Sequence, residues 1–376
     1  MIEHWSSSAR RHIVLSTASL AVFMLCGAES AWAQTDGTVT PAAVAAPQGG
    51  SGQRRFTASA LADRPWFDPA IADPRAPQIA ALALAFSDEF QYMVNSGSRR
   101  IWDISLGKEI PIVVFETNPG RDGEIVKGGW GWGIWTPVNF HMVSDFKDDS
   151  SPIINTDYRF AGMAKVAYGL SETTNLAWKV QFGHESTHLG DEFTIHAEQT
   201  YGAAFERINV SYEYLEYGML YEREGLGNVN DPDATLWTLG IRGGFMHTID
   251  RGHPGFYSLH LLDDSRTLEP SKRNHEPSFG VELIPTGSKG WIGGWTPFVS
   301  VDGRWKTVYD YHKTSAEQDE DVAFSLSVAT GLRNVTATGR GKADIMIKFY
   351  RGLNPNGQFR SQADYWMVGA GVRVRV

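Results

Sequence analysis

The stretch Asp321–Asn334, DVAFSLSVATGLRN, carries the clearest indication of secondary structure in the chain. Apolar side chains occupy every second position from Val322 to Val328, and small or polar side chains occupy the positions between them. A period of two is typical of a β-strand with one apolar and one polar face. The same alternation recurs in Asp157–Leu170, Lys342–Gly352 and Trp366–Val376. The sequence therefore predicts an all-β protein.

The length of the alternating segments favours a membrane barrel over a soluble sandwich. About a dozen segments after Ile79 run for roughly 10 to 16 residues, long enough to cross a bilayer when tilted by about 45°. Sandwich strands commonly have only about five or six residues. Aromatic residues near the segment ends, including Trp130, Trp132 and Trp366, are typical of interfacial girdles. Thirteen candidate strands are found, and because single-chain bacterial barrels are usually even, we predict a transmembrane antiparallel β-barrel of about 12 strands, with short periplasmic turns and longer outer loops.

Three segments are predicted to precede the barrel. Residues 1–33 combine a basic start, an apolar run and small residues at Ala31 and Ala33, which together indicate a secretory signal peptide. Residues 34–60 are rich in Ala, Pro and Gly and predict a disordered linker in the periplasm. Residues 61–78 contain too many prolines for a strand or helix and predict an irregular lead-in segment. The barrel is then expected to span residues 79–376.

Composition excludes several other classes of protein. The 376-residue chain has a formal net charge of −9, which gives no reason to expect nucleic acid as a partner. The single cysteine, Cys26, lies in the predicted signal peptide, so neither a disulfide framework nor a thiolate zinc site is expected in the mature protein. Beyond the signal peptide no run reaches the ~18 apolar residues of a transmembrane helix.

Charged residues of both signs share the polar face of the predicted strands. Opposite charges in a narrow lumen can pair across it, so we expect a largely filled interior rather than a wide solute channel. The residues concerned include Asp103, Glu109, Asp157, Arg159, Lys165, Lys179, Glu185, Glu213, Arg242, Asp344, Lys348 and Arg373.

The stretch HESTH, His184–His188, has the letters of a zinc-protease motif. That motif requires a helix, on which two histidines four residues apart point at one metal ion. The preceding residues Trp178–Gly183 alternate with period two, which predicts a strand continuing into the motif. On a strand the two histidines are about 13 Å apart. The sequence therefore argues against a zinc protease.

On a strand, His184, Ser186 and His188 share the face that points to lipid, close to the outer rim. A histidine and a serine two residues apart are about 6.6 Å apart at Cα, so His184 is a candidate base for the hydroxyl of Ser186. This His-x-Ser pair on an outer wall resembles outer-membrane phospholipase A and the lipid A 3-O-deacylase. The resemblance implies acyl-ester hydrolysis with Ser186 as nucleophile, but those families have asparagine where this chain has Thr187.

Several residues are candidates for the remaining roles at this site. His188 is a further candidate catalytic residue. The group that orients the base could be any of four residues: Asp191, Glu192, Glu198 and Asn209. Asp191 and Glu192 are also candidate calcium ligands, and no other cofactor is predicted. The alternative is that the histidines are interfacial side chains and the acidic residues are simply solvated.

A wider resemblance rests on three separated motifs. AIADPRAP (Ala70–Pro77), HESTHLGDEF (His184–Phe193) and RGLNPNGQF (Arg351–Phe359) are together similar to a family of uncharacterised Gram-negative outer-membrane proteins with a domain of unknown function. This resemblance implies an outer-membrane location and no particular activity.

Two functions from different classes are therefore expected. The first is an envelope lipid hydrolase that cleaves an acyl ester of phospholipid or lipopolysaccharide at the outer leaflet. The second is a structural, binding or channel barrel without catalysis. In both cases the partners are outer-membrane lipids and, during insertion, the barrel-assembly machinery.

Overall fold

The computed structural model is an all-β protein. It describes residues 56–60, 66, 69–86, 101–117, 125–146, 153–191, 193, 195, 210–227, 236–249, 275–286, 294–307, 322–335, 341–357 and 364–374. The predicted signal peptide and most of the predicted linker lie outside these residues. Within them, no helix is long and apolar enough to cross a membrane.

The described residues form thirteen strands. They are β1 (Phe56–Ala60), β2 (Ile79–Phe86), β3 (Ile101–Thr117), β4 (Trp130–Asp145), β5 (Ile153–Ser171), β6 (Thr174–Leu189), β7 (Val210–Leu226), β8 (Leu236–Thr248), β9 (His275–Thr286), β10 (Trp295–Thr307), β11 (Val322–Val335), β12 (Gly341–Gly352) and β13 (Tyr365–Val374). Twelve of them, β2 to β13, close into an antiparallel barrel through the β2–β13 pair. The predicted fold class is confirmed.

The two ends of the barrel differ in the length of their connections. Only Glu172 and Thr173 separate β5 from β6, whereas residues 249–274 connect β8 to β9 at the other end. In outer-membrane barrels the short turns face the periplasm and the longer loops face outward. We therefore call these the periplasmic end and the outer end. β2 begins and β13 finishes at the periplasmic end, where Ile79 pairs with Val374.

The short strand β1 was not predicted. It comprises the last five residues of the segment that the sequence assigns to a disordered linker. β1 pairs with Val113–Thr117, a part of β3 that extends beyond its pairing with β2, which stops at Leu106. An uncovered strand edge leaves backbone donors and acceptors unpaired, and β1 supplies partners for this one.

The outward face is apolar along the whole barrel. Whereas β2 presents mainly alanines outward, strands β3 to β13 place large hydrophobic side chains on alternate positions, where many are exposed. They include Ile134, Phe160, Val180, Phe182, Met219, Ile241, Phe245, Val281, Phe324, Ile345, Ile347 and Val368. Aromatic clusters flank this band: Phe115 stacks on Trp132 near the periplasmic end, and Phe279, Trp305 and Phe324 are in mutual contact near the outer end.

The inward face carries charges of both signs, many of which are paired, beside a buried apolar cluster that includes Leu82 and Phe298. Asp344 is 0% exposed and accepts two hydrogen bonds from Arg333, at 2.7 and 3.0 Å, and one from Arg373 at 3.2 Å. Further inward ion pairs join Arg159 to Glu185, Lys165 to Glu109, Lys179 to Glu216, Arg242 to Glu282 and His141 to Asp103.

The described part of the lead-in segment lies inside the barrel. This part, Trp66 and residues 69–78, has no strand or helix, and we call it the plug. Trp66 packs edge-on against Trp135 of β4. Its ring also lies so close to Gly131 that a Cβ at that position would be only 2.4 Å away. Ile71 and Ala72 are 1% and 0% exposed. The plug therefore fills the lumen rather than leading into the barrel from outside.

Polar contacts fix the plug to several strands. The backbone N–H of Ile71 donates to Glu282 at 2.7 Å, and that of Ala72 donates to Ser300 at 3.0 Å. Other contacts pair Asp73 with Arg304, Arg75 with Glu276 at 2.9 Å, and the carbonyl of Arg75 with Arg159 at 3.0 Å. These partners belong to β5, β9 and β10, so the plug ties together strands from different parts of the wall.

A second insertion, Leu353–Gly357, closes the lumen from the outer end. Asn354 and Asn356 are 0% and 2% exposed, and the N–H of Gly357 points at the carboxylate of Asp157 at 3.3 Å. A Cβ on Gly357 would lie 2.6 Å from the side chain of Thr187, so the close approach of this backbone to β6 requires glycine. Gly352, at the start of the insertion, has a positive φ of 142°. Between plug and wall a space of about 70 Å³ remains, room for a few water molecules.

The first prediction concerns the Asp344 cluster. In Asp344→Ala two buried guanidinium groups lose their shared partner, and we expect the free energy of unfolding to fall by about 3–5 kcal/mol. Urea unfolding in lipid vesicles, followed by tryptophan fluorescence, measures this. The neighbouring, lipid-facing Ile345→Ala is the control, because its side chain is 51% exposed. Equal losses in both variants would contradict the importance of the cluster.

The second prediction concerns the Asp73 contact of the plug. Burial alone would raise the pKa of Asp73, but the guanidinium groups of Arg304 and Arg75 outweigh it and hold this pKa below its ordinary value of 3.8. Charged Asp73 therefore stabilises the plug fully above that ordinary value, and the contribution is lost as the pH falls toward the lowered pKa. We expect planar bilayers containing the wild-type protein to show little conductance at pH 7 and more at about pH 3.

Asp73→Asn is expected to raise the conductance already at pH 7, because its neutral side chain leaves Arg304 and Arg75 less well compensated. Asp364→Asn, at an exposed carboxylate just before β13, is the control and is expected to behave as the wild type. Conductance that is the same in all three proteins at both pH values would show that Asp73 does not hold the plug in place.

Candidate active site at the outer rim

Strand β6 places the three predicted residues of the HESTH stretch on the outer wall. Between Val180 and His188, exposed and buried positions alternate, so His184, Ser186 and His188 face outward. Glu185 and Thr187 face inward, where they contact Arg159 and Asn155. The strand is extended through His188, which does not give the two histidines the helical spacing of a zinc-protease motif.

Ser186 is hydrogen-bonded to His188. The distance between Ser186 Oγ and His188 Nε2 is 2.9 Å, which is within the usual range for a serine and its base. The His188 ring also makes an edge contact with Tyr158 on β5, with ring centroids 5.9 Å apart. A hydroxyl and an imidazole on the lipid-facing wall are thus held together by neighbouring positions of one strand.

His184 has different partners, which lie on β7. Its Nε2 is 3.4 Å from Ser211 Oγ, and its Nδ1 is 3.7 Å from Glu213 Oε1. The sequence predicted that His184 serves Ser186, but the structure turns the His184 ring toward Ser211. The order hydroxyl, imidazole, carboxylate is that of a nucleophile, a base and a group that orients the base.

The prediction that Glu213 faces the lumen is wrong. Tyr212 and Tyr214 are 0% and 1% exposed and occupy the lumen, so Glu213 shares the outward face with Tyr217 and Met219. It pairs directly with His184 in the register of β6 and β7. Near the outer end an outward carboxylate lies beyond the apolar band. The charge of a residue there therefore does not show whether its side chain faces the lumen or the outside.

Ser211 and Glu213 were not predicted as site residues. Ser211 lies directly opposite Ser186, and Glu213 opposite His184. Side chains opposite each other in an antiparallel pair have Cβ atoms about 5 Å apart. The alternation along β7 could have placed both on the outer wall, but only the register shows that they are beside the β6 residues.

The predicted orienting and calcium residues fall largely outside the described part of the chain. Glu192, Glu198 and Asn209 lie outside it, and Asp191 is an exposed residue just beyond the end of β6. Among the described residues, no group of three or more His, Cys, Asp or Glu side chains is arranged to hold a metal ion. A calcium site at Asp191 and Glu192 stays a prediction.

Apolar side chains lie immediately below the cluster on the membrane side. Phe160, on β5, pairs with His184 and is 52% exposed. Phe182, two residues before His184, is 49% exposed. Together with Tyr158 they form an apolar wall leading up to Ser186. The arrangement brings a hydroxyl–imidazole pair to the boundary where lipid acyl chains meet their polar groups.

Several solved structures are similar to this chain. Outer membrane phospholipase A from Escherichia coli is 12% identical, with 80% of this chain and 93% of that chain covered and a TM-score of 0.42. The Salmonella typhi outer membrane phospholipase dimer with bound calcium is 12% identical, with coverages of 80% and 91% and a TM-score of 0.41. The beta domain of the Bordetella autotransporter BrkA is 10% identical, with coverages of 80% and 100% and a TM-score of 0.35.

Identities this low assign no activity to the chain. No curated protein matches it. One family model matches residues 37–225, which include the plug, β1 to β6 and nearly all of β7. The match also includes the rim cluster, by which we mean His184, Ser186, His188, Ser211 and Glu213. The chain belongs to the family described as "Protein of unknown function (DUF1207)".

Proposed function

We propose that this protein is an integral outer-membrane hydrolase that cleaves acyl esters of lipids at the outer leaflet. The supporting observation is the 2.9 Å hydrogen bond between Ser186 and His188 on the lipid-facing wall. Its position just above Phe160 and Phe182 suits a substrate whose acyl chain stays in the membrane while its ester reaches the rim. The substrate class is phospholipid or lipopolysaccharide.

The proposed reaction uses Ser186 as nucleophile and His188 as general base. Ser186 Oγ attacks the ester carbonyl carbon while His188 Nε2 takes the hydroxyl proton. The carbon–oxygen bond to the lipid alcohol then breaks, and His188 gives that proton to the departing alcohol. Water attacks the acyl-serine in the same way, which releases the fatty acid and restores the serine hydroxyl.

The neighbouring Ser211, His184 and Glu213 offer a second arrangement for the same chemistry. It has the carboxylate that the Ser186 pair lacks among the described residues, but its distances of 3.4 and 3.7 Å are longer. Such distances often shorten only when substrate binds. Ser186 is preferred because its hydrogen bond is already formed, and Ser211 provides a matched serine for comparison.

A non-catalytic structural barrel is the second candidate function. The observation that favours it is the filled lumen, in which the plug and Leu353–Gly357 contact the wall from both ends. A filled lumen argues against a wide solute channel. In this role the rim histidines would contact lipid headgroups without chemistry.

Both functions place the protein in the outer membrane. We propose that residues 1–33 direct export, that the following linker remains in the periplasm and that the barrel-assembly machinery inserts the chain. These proposals rest on the apolar outward band and on the N-terminal sequence pattern.

The third prediction is that hydrolysis depends on Ser186 and His188. The purified protein, in mixed micelles with phospholipid or lipid A and with calcium present, is expected to release fatty acid. Ser186→Ala should reduce the release to background, because the nucleophile is lost. His188→Ala should lower it by about 10²–10⁴-fold, the usual contribution of a general base.

Ser211→Ala is the matched control and is expected to retain most of the activity. If Ser211→Ala abolishes the release and Ser186→Ala does not, the nucleophile is Ser211 and the assignment of Ser186 is wrong. If the folded wild-type protein releases no fatty acid from either lipid, the hydrolase proposal fails and the structural role is left.

A further inference from the structure

Two histidines outside the rim cluster face each other across strands β8 and β9. His247, on β8, pairs directly with His275, the first residue of β9. On β8 the outward positions Ile241, Gly243 and Phe245 precede His247 at the same parity, and His275 shares the face of Phe279. Both imidazoles therefore lie on the outer wall at the outer end, where they are exposed.

The two rings present the same nitrogen to each other at short distance. His247 Nδ1 and His275 Nδ1 are 3.0 Å apart, and the ring centroids are 4.8 Å apart. The ring of Phe245 lies against His275, at 5.0 Å between centroids, and limits the orientations of that imidazole. The geometry is thus built from a direct cross-strand pair and an aromatic neighbour.

We propose that His247 and His275 together bind a divalent transition-metal ion, with copper(II) or nickel(II) preferred. Metal–imidazole bonds are about 2.0–2.1 Å long. Two nitrogens 3.0 Å apart, each at such a distance from one ion, subtend an angle of about 94° at the ion. That angle suits adjacent positions of a tetragonal or octahedral ion better than the tetrahedral geometry of zinc.

Among the described residues no third protein ligand accompanies the two histidines, so the proposal assigns the other coordination positions to water. Two imidazoles and water make a site of modest affinity that favours copper(II), the strongest binder among the first-row divalent ions. The position at the outer end makes it accessible from the external medium.

A simpler account of the 3.0 Å distance is a hydrogen bond between two neutral imidazoles, in which one Nδ1–H donates to the other Nδ1. Both accounts require the Nδ1 atoms to face each other, and they differ in what happens when metal is added. Metal binding places a lone pair of each Nδ1 on the ion and keeps the ring proton at Nε2.

The fourth prediction tests this site with the full-length protein in detergent at pH 7.5, without a polyhistidine tag. Titration calorimetry with copper(II), nickel(II) and zinc(II) salts is expected to show one copper ion bound per chain, nickel binding more weakly and zinc weakest. His247→Ala and His275→Ala should each weaken copper binding by at least about ten-fold. Electron paramagnetic resonance of bound copper should show coupling to two equivalent imidazole nitrogens.

His184→Ala is the control, because it removes a rim histidine that pairs with Glu213 and not with another imidazole. It should leave copper binding unchanged. Urea unfolding confirms that each variant is folded. Copper binding that is equal in the wild type and in the His247→Ala/His275→Ala double variant would overturn the proposal and leave the hydrogen-bonded pair. Zinc binding more tightly than copper would overturn the assigned geometry.

Discussion

The sheet of this barrel has to close on itself. In the hydrocarbon core a backbone N–H or C=O group without a partner costs several kcal/mol, so every strand edge must be covered. The β2–β13 pair closes the barrel, but β2 covers β3 only as far as Leu106. The remaining edge of β3 is paired by β1 from Val113 to Thr117. A strand that precedes the barrel in sequence thus covers part of the edge that β2 leaves unpaired.

The closed wall in turn requires a lumen whose charges are compensated. Asp344 meets two arginines from the neighbouring strands β11 and β13. Glu282 and Arg304 pair with Arg242 and Asp302 of the wall and also bind the plug, through the N–H of Ile71 and the carboxylate of Asp73. Since an uncompensated buried charge is strongly destabilising, the barrel wall and the plug depend on each other. The motif AIADPRAP, which contributed to the family resemblance, is the segment that makes these contacts.

The fold followed from the sequence to the extent that alternation determines it. A period of two predicted the strands, their two faces and the charges of both signs in the lumen, because successive side chains of a strand point to opposite faces. Register did not follow, since a shift by two residues leaves the same faces apolar and polar. Ser211 on β7 is the hydroxyl partner of His184, and no pattern within β6 could have indicated it. The position of the plug was likewise hidden, because proline-rich segments carry no period.

Strand parity also shows where the apolar outward band ends near the outer end of the barrel. On β6 the outward positions change from Val180 and Phe182 to His184, Ser186 and His188. On β8 the change is from Phe245 to His247, and β9 begins with an outward histidine, His275. Strands β6, β8 and β9 therefore each carry an outward imidazole near the outer end. An imidazole has an apolar ring and polar nitrogens, which suits the level of the headgroups. The proposed hydroxyl–imidazole pair on β6 and the proposed metal-binding histidines on β8 and β9 therefore both lie on the outward face near the outer end, with β7 between them.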